Sequence, residues 1–183
     1  MTTAAAESAP DPHAPWVVLK FGGTSVSTRE RWDKIAGVAR GWRERGKNVL
    51  IVVSALSGIT DKLKALGEAQ ADATRRGAIR DEIRARHEAM FAELELTDRA
   101  PLQYWLERLD AVAANVRADA GGLPWQAEVL ALGEQLSSTL GVAYLSRLGM
   151  PAHWLDARQH LLAQPMPNQN AWGRYLSASV PTA

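Results

Sequence analysis

Three features of this sequence predict an α/β fold built on a mostly parallel sheet. A strand-length apolar run, Trp16-Val17-Val18-Leu19, ends on Lys20 and breaks into two adjacent glycines ahead of a helical stretch. A second run, Val49-Leu50-Ile51-Val52-Val53, is continuous and β-branched, which suits a parallel strand buried on both faces. A long helix, apolar nearly all round, then leads to a shorter candidate strand at Ala152-His153-Trp154-Leu155-Asp156.

The bulk properties narrow the class. With 183 residues and 19.9 kDa the chain fits one domain with a real core. Residues 1–15 are rich in Ala and Pro and lack both the basic start and the apolar centre of a secretory signal. They read as a disordered leader, and the folded part is expected over 16–183. A net charge of +1 gives no electrostatic reason to bind nucleic acid or an anionic membrane. No apolar run approaches the roughly 20 residues that span a bilayer. The absence of cysteine excludes disulfides, thiolate zinc sites and thiol catalysis, and fits the cytoplasm.

In chain order, the first strand and its break come first. Glycines at positions 22 and 23 let backbone N–H groups converge on an anion, Lys20 adds a mobile point charge, and Thr24 and Ser25 add hydroxyls. A Gly-Gly pair after a strand is equally often a plain turn, and the residue types alone leave both readings open. The Walker A spacing is absent, which disfavours a P-loop NTPase. Ser27-Thr28-Arg29-Glu30 has the form of a capping box, with Ser27 as the cap. Trp32, Ile35, Ala36, Ala39 and Trp42 then recur at helical spacing, and Gly46 is a natural stop.

The second strand runs into Ser54-Ala55-Leu56-Ser57-Gly58-Ile59-Thr60-Asp61. Ligands of open α/β sheets collect at the carboxyl ends of strands, so Ser54 and Thr60 are candidate ligand contacts; Thr60 or Asp61 could instead cap the next helix. The chain is then mostly helical to Ala120, with His87 on an apolar stripe, where a core histidine is expected. From about Trp125 to Arg147, Val129, Leu132, Leu136, Leu140 and Ala143 share one helix face. Glu134 is then either a buried carboxylate met by a cation or a half-exposed one paired with an arginine. Gly133 beside it suggests close approach by another backbone or a ligand. His153 and Asp156 would alternate onto opposite faces of the candidate third strand, which rules them out as a catalytic pair.

Three blocks carry a resemblance. Lys20-Phe21-Gly22-Gly23-Thr24-Ser25-Val26, Val52-Val53-Ser54-Ala55-Leu56-Ser57-Gly58-Ile59-Thr60 and Leu132-Gly133-Glu134-Gln135-Leu136-Ser137-Ser138 occur in the order found in aspartate kinases, members of the amino-acid kinase superfamily, and together resemble that family. Around Leu19-Lys20 and Arg31-Trp32-Asp33 the wording is similar to the subgroup fused to diaminopimelate decarboxylase.

The resemblance implies a three-layer α/β/α fold and transfer of the γ-phosphoryl group of ATP, with Mg2+ on its phosphates, to the β-carboxylate of L-aspartate. Lys20, Phe21, Gly22, Gly23, Thr24 and Ser25 would hold the phosphates, with Lys20 catalytic; Ser54, Thr60 and Glu134 would hold aspartate. It also implies a downstream Gly-Arg-Gly-Gly-Ser-Asp segment, an ATP-base region and regulatory ACT domains, which this sequence does not contain. The expectation is therefore an amino-terminal fragment of a homo-oligomeric enzyme, truncated and inactive alone. A relative acting on acetylglutamate, glutamate or a nucleotide, or a noncatalytic binding module, are the alternatives.

Overall fold

In a computed structural model, residues 10–69, 72–114, 122–161, 168 and 170 are described. Strand β1 (Trp16–Phe21) leads through a 3-10 turn (Gly23–Val26) into helix α1 (Arg29–Glu44) and strand β2 (Asn48–Val53). Four helices follow, α2 (Ile59–Glu68), α3 (Ala73–Glu93), α4 (Ala100–Ala114) and α5 (Leu123–Arg147), and then a single turn, α6 (Ala157–His160). No helix among the described residues is long and apolar enough to cross a membrane.

The strands pair in parallel, Trp16 opposite Asn48 and Phe21 opposite Val53. Alternation divides the sheet into two faces. Leu19, Phe21, Val49, Ile51 and Val53 pack on the core built from α1 to α5. Trp16, Val18, Leu50 and Val52 point the other way and are exposed. The described residues thus supply the sheet and one helical layer of the α/β fold. Burial of β2 on both faces, expected from its composition, is not met: one face of Val52 and Leu50 is open.

The candidate strand at residues 152–156 is irregular chain. A strand needs a neighbour to complete its ladder, and here the side chains have other partners. Trp154 Nε1 donates to Ser138 Oγ at 2.8 Å, and its ring lies 5.6 Å from that of Trp105. Asp156 caps α6 and grips the Arg158 guanidinium, with Oδ2 2.6 Å from Nη2. Without a strand, the alternation argument about His153 and Asp156 lapses; His153 is exposed and Asp156 is bound to Arg158. Of the stretch read as a leader, residues 1–9 lie outside the described residues, as does most of the chain after 161. Residues 11–15 form a turn tied to Asn48, whose Nδ2 donates to the Asp11 and Ala14 carbonyls.

Helix α5 is the axis of the core. Val129, Leu132, Leu136, Leu140, Tyr144 and Leu145 are buried, and on its other sides Gly133, Gln135, Ser137 and Gly141 are buried as well. Two contacts require glycine. A Cβ on Gly141 would lie 2.2 Å from the Trp32 ring, and one on Gly133 would lie 2.6 Å from the Ala55 methyl. Gly133 therefore answers the close approach of a side chain from the β2–α2 loop, where another backbone or a ligand was expected.

His87 is a core histidine, as its stripe predicts. It is fully buried in α3, with Nδ1 2.8 Å from the Ile83 carbonyl and no partner for Nε2 among the described residues. Burial pushes its pKa down to about 4 from 6.5, against the smaller opposing effect of the Ile83 hydrogen bond. Between those values the unfolded chain holds the extra proton, so the stability is full above about pH 6.5 and falls as pH drops toward 4. We expect unfolding in urea to show a loss of about 2 kcal/mol between pH 7 and pH 5 from this one group. His87→Leu should abolish that increment at little cost at pH 7, because it removes a buried polar atom with no partner. An unchanged pH dependence in the variant would place the titration elsewhere.

Candidate active site

The site lies where β1 and β2 end. β1 stops at Phe21, whose carbonyl accepts from Ser54 N–H at 3.1 Å, so the glycine turn and the β2–α2 loop leave the sheet side by side. Gly22, at the start of the turn, has extended backbone, and its carbonyl accepts from Ser25 N–H at 2.9 Å. Lys20 is exposed on the open face, and its Nζ returns over the turn to lie 3.9 Å from where a Gly22 Cβ would be. Space there is bounded by an ammonium group and not by packed protein. Gly23 has a different reason to be glycine: a Cβ would lie 2.6 Å from the Ala55 carbonyl oxygen. Of the two glycines, Gly22 faces the candidate ligand space and Gly23 lets the loop close on the turn.

Ala55 is the centre of the arrangement. Buried between Gly23 and Gly133, it presents its N–H to Glu134 Oε1 at 3.4 Å. Helix α5 is thereby brought to the mouth of the sheet. Neither sequence reading of Glu134 holds: the side chain is exposed, and no ion pair to it occurs among the described residues. It emerges between buried Gly133 and Gln135 at the gap between α5 and the loop. A carboxylate held by one long hydrogen bond retains acceptor capacity for an incoming cation.

The other expected contacts are distributed unevenly. Ser54 is half-buried and its backbone is bonded on both sides, its N–H to Phe21 and its carbonyl to Ser137 Oγ at 2.8 Å. Thr60 is exposed in the first turn of α2. Neither Thr60 nor Asp61 caps that helix, because Gly58, with φ +80, is the cap residue and the helix begins one residue later. Left-handed backbone there favours glycine, which is why the cap falls before the hydroxyl. Thr24 is exposed, and its carbonyl accepts from the Arg31 guanidinium.

Sequence reasoning missed three groups. The S-x-x-E spacing predicts Ser27 as the cap of α1, but Thr28 is the cap, accepting from Arg31 N–H at 3.4 Å. The Ser27 hydroxyl instead donates to the Gly23 carbonyl at 2.6 Å and accepts from Ser57 N–H at 2.9 Å. Two consecutive hydroxyls before a helix were the available signal, since one residue suffices to cap it. Ser137 has no role in the sequence reading, although a serine buried mid-helix needs a partner. Arg31, which ties α1 to the turn through the Thr24 carbonyl, carries no sequence signal for that contact.

The model of the Amino acid kinase family matches residues 15–178. This chain belongs to the amino acid kinase family. Among its curated relatives, the aspartokinase of Chlamydia trachomatis is 33% identical over 168 residues, 86% of this chain and 36% of that protein. A chloroplastic bifunctional aspartokinase/homoserine dehydrogenase of Zea mays is 29% identical over 159 residues, 82% of this chain and 17% of that protein. Among solved structures, Escherichia coli aspartokinase III in complex with aspartate and ADP is similar with a TM-score of 0.67 at 29% identity, over 81% of this chain and 32% of that one. The same enzyme with lysine and aspartate gives a TM-score of 0.70 over 91% of this chain. The amino acid kinase chain described here thus spans about a third of the aspartokinases it matches.

Proposed function

We propose that this chain is the amino-terminal, aspartate-binding part of a cytoplasmic aspartate kinase. The observation that carries the reading is the convergence on Ala55: the Lys20-Gly22-Gly23 turn, the Ser54 loop and the Glu134 helix meet there, and each comes from a different block of the sequence. In the proposed reaction an oxygen of the L-aspartate β-carboxylate attacks the γ-phosphorus of ATP, the bond from that phosphorus to the bridging oxygen breaks, and ADP leaves. The attacking carboxylate is already ionised at neutral pH, so positioning and charge stabilisation carry the rate without a general base. Lys20, with the amides of Gly22 and Gly23, would neutralise the transferring phosphoryl group. Phe21, Thr24 and Ser25 would complete the cradle, with Mg2+ carried on the nucleotide phosphates. Glu134 would pair with the ammonium group of aspartate, and Ser54 and Thr60 would offer hydroxyls to it.

The open sheet face of Trp16, Val18, Leu50 and Val52 supports a parent protein in which further chain or a second subunit covers it. The resemblance at Leu19-Lys20 and Arg31-Trp32-Asp33 supports a parent enzyme fused to a diaminopimelate decarboxylase.

Glu134→Gln in the parent kinase tests the assignment. The aspartate KM should rise at least tenfold, the scale for losing a charge-assisted contact, with the ATP KM unchanged. A change confined to ATP would reject the role.

A further inference from the structure

We infer that Ser137 and Ser27 are positioning residues for this site, two buried hydroxyls that set the β2–α2 loop between the phosphate turn and Glu134; the inference rests on the aspartate kinase reading above.

The peptide joining Ser54 to Ala55 is held at both ends by α5. Its carbonyl accepts from Ser137 Oγ at 2.8 Å, and its N–H faces Glu134 Oε1 at 3.4 Å. Residues 134 and 137 lie on neighbouring positions of one helix face, so α5 reads the orientation of this one peptide plane at two points. Ser137 is fully buried, and its hydroxyl has a single proton. The Ser54 carbonyl at 2.8 Å is nearer than the Glu134 carbonyl of its own helix at 3.2 Å, so the loop receives the bond. Removing the Oγ frees the peptide to rotate, and the same rotation carries the Ala55 N–H away from the Glu134 carboxylate. Ser54 and Glu134, proposed to hold aspartate together, would then lose their fixed separation.

Ser27 acts from the opposite side. Its hydroxyl donates to the Gly23 carbonyl at 2.6 Å and accepts from Ser57 N–H at 2.9 Å, bridging the glycine turn to the far end of the same loop. Its own carbonyl is fixed by Arg86 Nη2 of α3 at 2.8 Å, so the bridge is anchored to the helical layer. One serine therefore sets the loop against the Glu134 carboxylate and the other sets it against the glycine turn. A site of this kind depends on such supports, because catalytic groups displaced by an ångström lose much of their effect.

Two measurements on Ser137→Ala and Ser27→Ala test this. Amide hydrogen exchange should accelerate at least tenfold at Ala55 in the first variant and at Ser57 in the second. In the parent kinase, Ser137→Ala should raise the aspartate KM about tenfold with the ATP KM within twofold, and Ser27→Ala should lower kcat about tenfold. A purely structural role would reduce the folded fraction and leave the constants of the folded enzyme unchanged, and that result would overturn the inference. Unchanged exchange at both amides would overturn it too. If Ser137→Ala does not fold, Ser137→Cys keeps a weak donor in the same volume and should show the same KM change in smaller degree. A parent enzyme without aspartate turnover would reject the kinase reading, while the exchange rates still decide whether the hydroxyls hold the loop.

Discussion

Lys20→Ala is expected to lower kcat of the proposed parent kinase by about a hundredfold, the scale for losing one preorganised charge contact to a transition state. The side chain is exposed on the open sheet face, and its amine lies over Gly22, so its removal leaves the core intact. The loss should therefore appear in turnover and not in the unfolding midpoint. Lys20→Arg should not restore full activity, because a planar guanidinium cannot replace a compact ammonium at the end of a flexible stem. Steady-state kinetics at saturating aspartate and ATP, with urea unfolding alongside, checks both halves. Unchanged turnover with normal stability would remove Lys20 from the chemistry.

Gly141→Ala should destabilise the protein by about 3 kcal/mol, the upper part of the range for overpacking a tight core. The sign is informative. Glycine costs a helix interior up to about 1 kcal/mol relative to alanine, so an unconstrained Gly141 would give a more stable variant. Here the new methyl would meet the Trp32 ring at 2.2 to 2.9 Å. The ring cannot easily move aside, since it is 1% exposed and its Nε1 donates to the Val26 carbonyl at 2.9 Å. Val26 ends the 3-10 turn that starts at Gly23, so displacing Trp32 also disturbs the glycine turn. Urea unfolding at pH 7 measures the effect, and a stability gain would show that α1 and α5 are less tightly joined than this packing requires.

Elements that carry their own signal were legible in the sequence. β1 and β2 follow from their apolar runs, α1 from its spacing and Gly46, and α5 from an apolar surface that continues nearly all round. The site blocks were visible as strings, and the structure brings the glycine turn, the Ser54 loop and Glu134 together. What failed depended on partners distant in the chain. Whether Ser27 or Thr28 caps α1 is decided by Ser57, which takes the Ser27 hydroxyl from thirty residues away. A strand at Ala152–Asp156 has local propensity, but Trp154 turns to Ser138 and Asp156 to Arg158 instead of pairing with the sheet. Glu134 could not be placed because its environment is set by Ala55, whose small side chain carried no signal until Gly23 and Gly133 were seen to enclose it. Local pattern locates elements, whereas contacts between them decide which hydroxyl or carboxylate is free to meet a ligand.

The central proposal is that the glycine turn, the Ser54 loop and Glu134, gathered at Ala55, together receive aspartate and the end of the nucleotide. A crystal structure of the parent kinase with aspartate and a nucleotide tests it most directly. The account predicts the aspartate ammonium within hydrogen-bond distance of the Glu134 carboxylate and the terminal phosphate within reach of Lys20 Nζ and the Gly22-Gly23 amides. Aspartate bound away from the Ser54 loop, with Glu134 left in solvent and Lys20 remote from the phosphates, would contradict it.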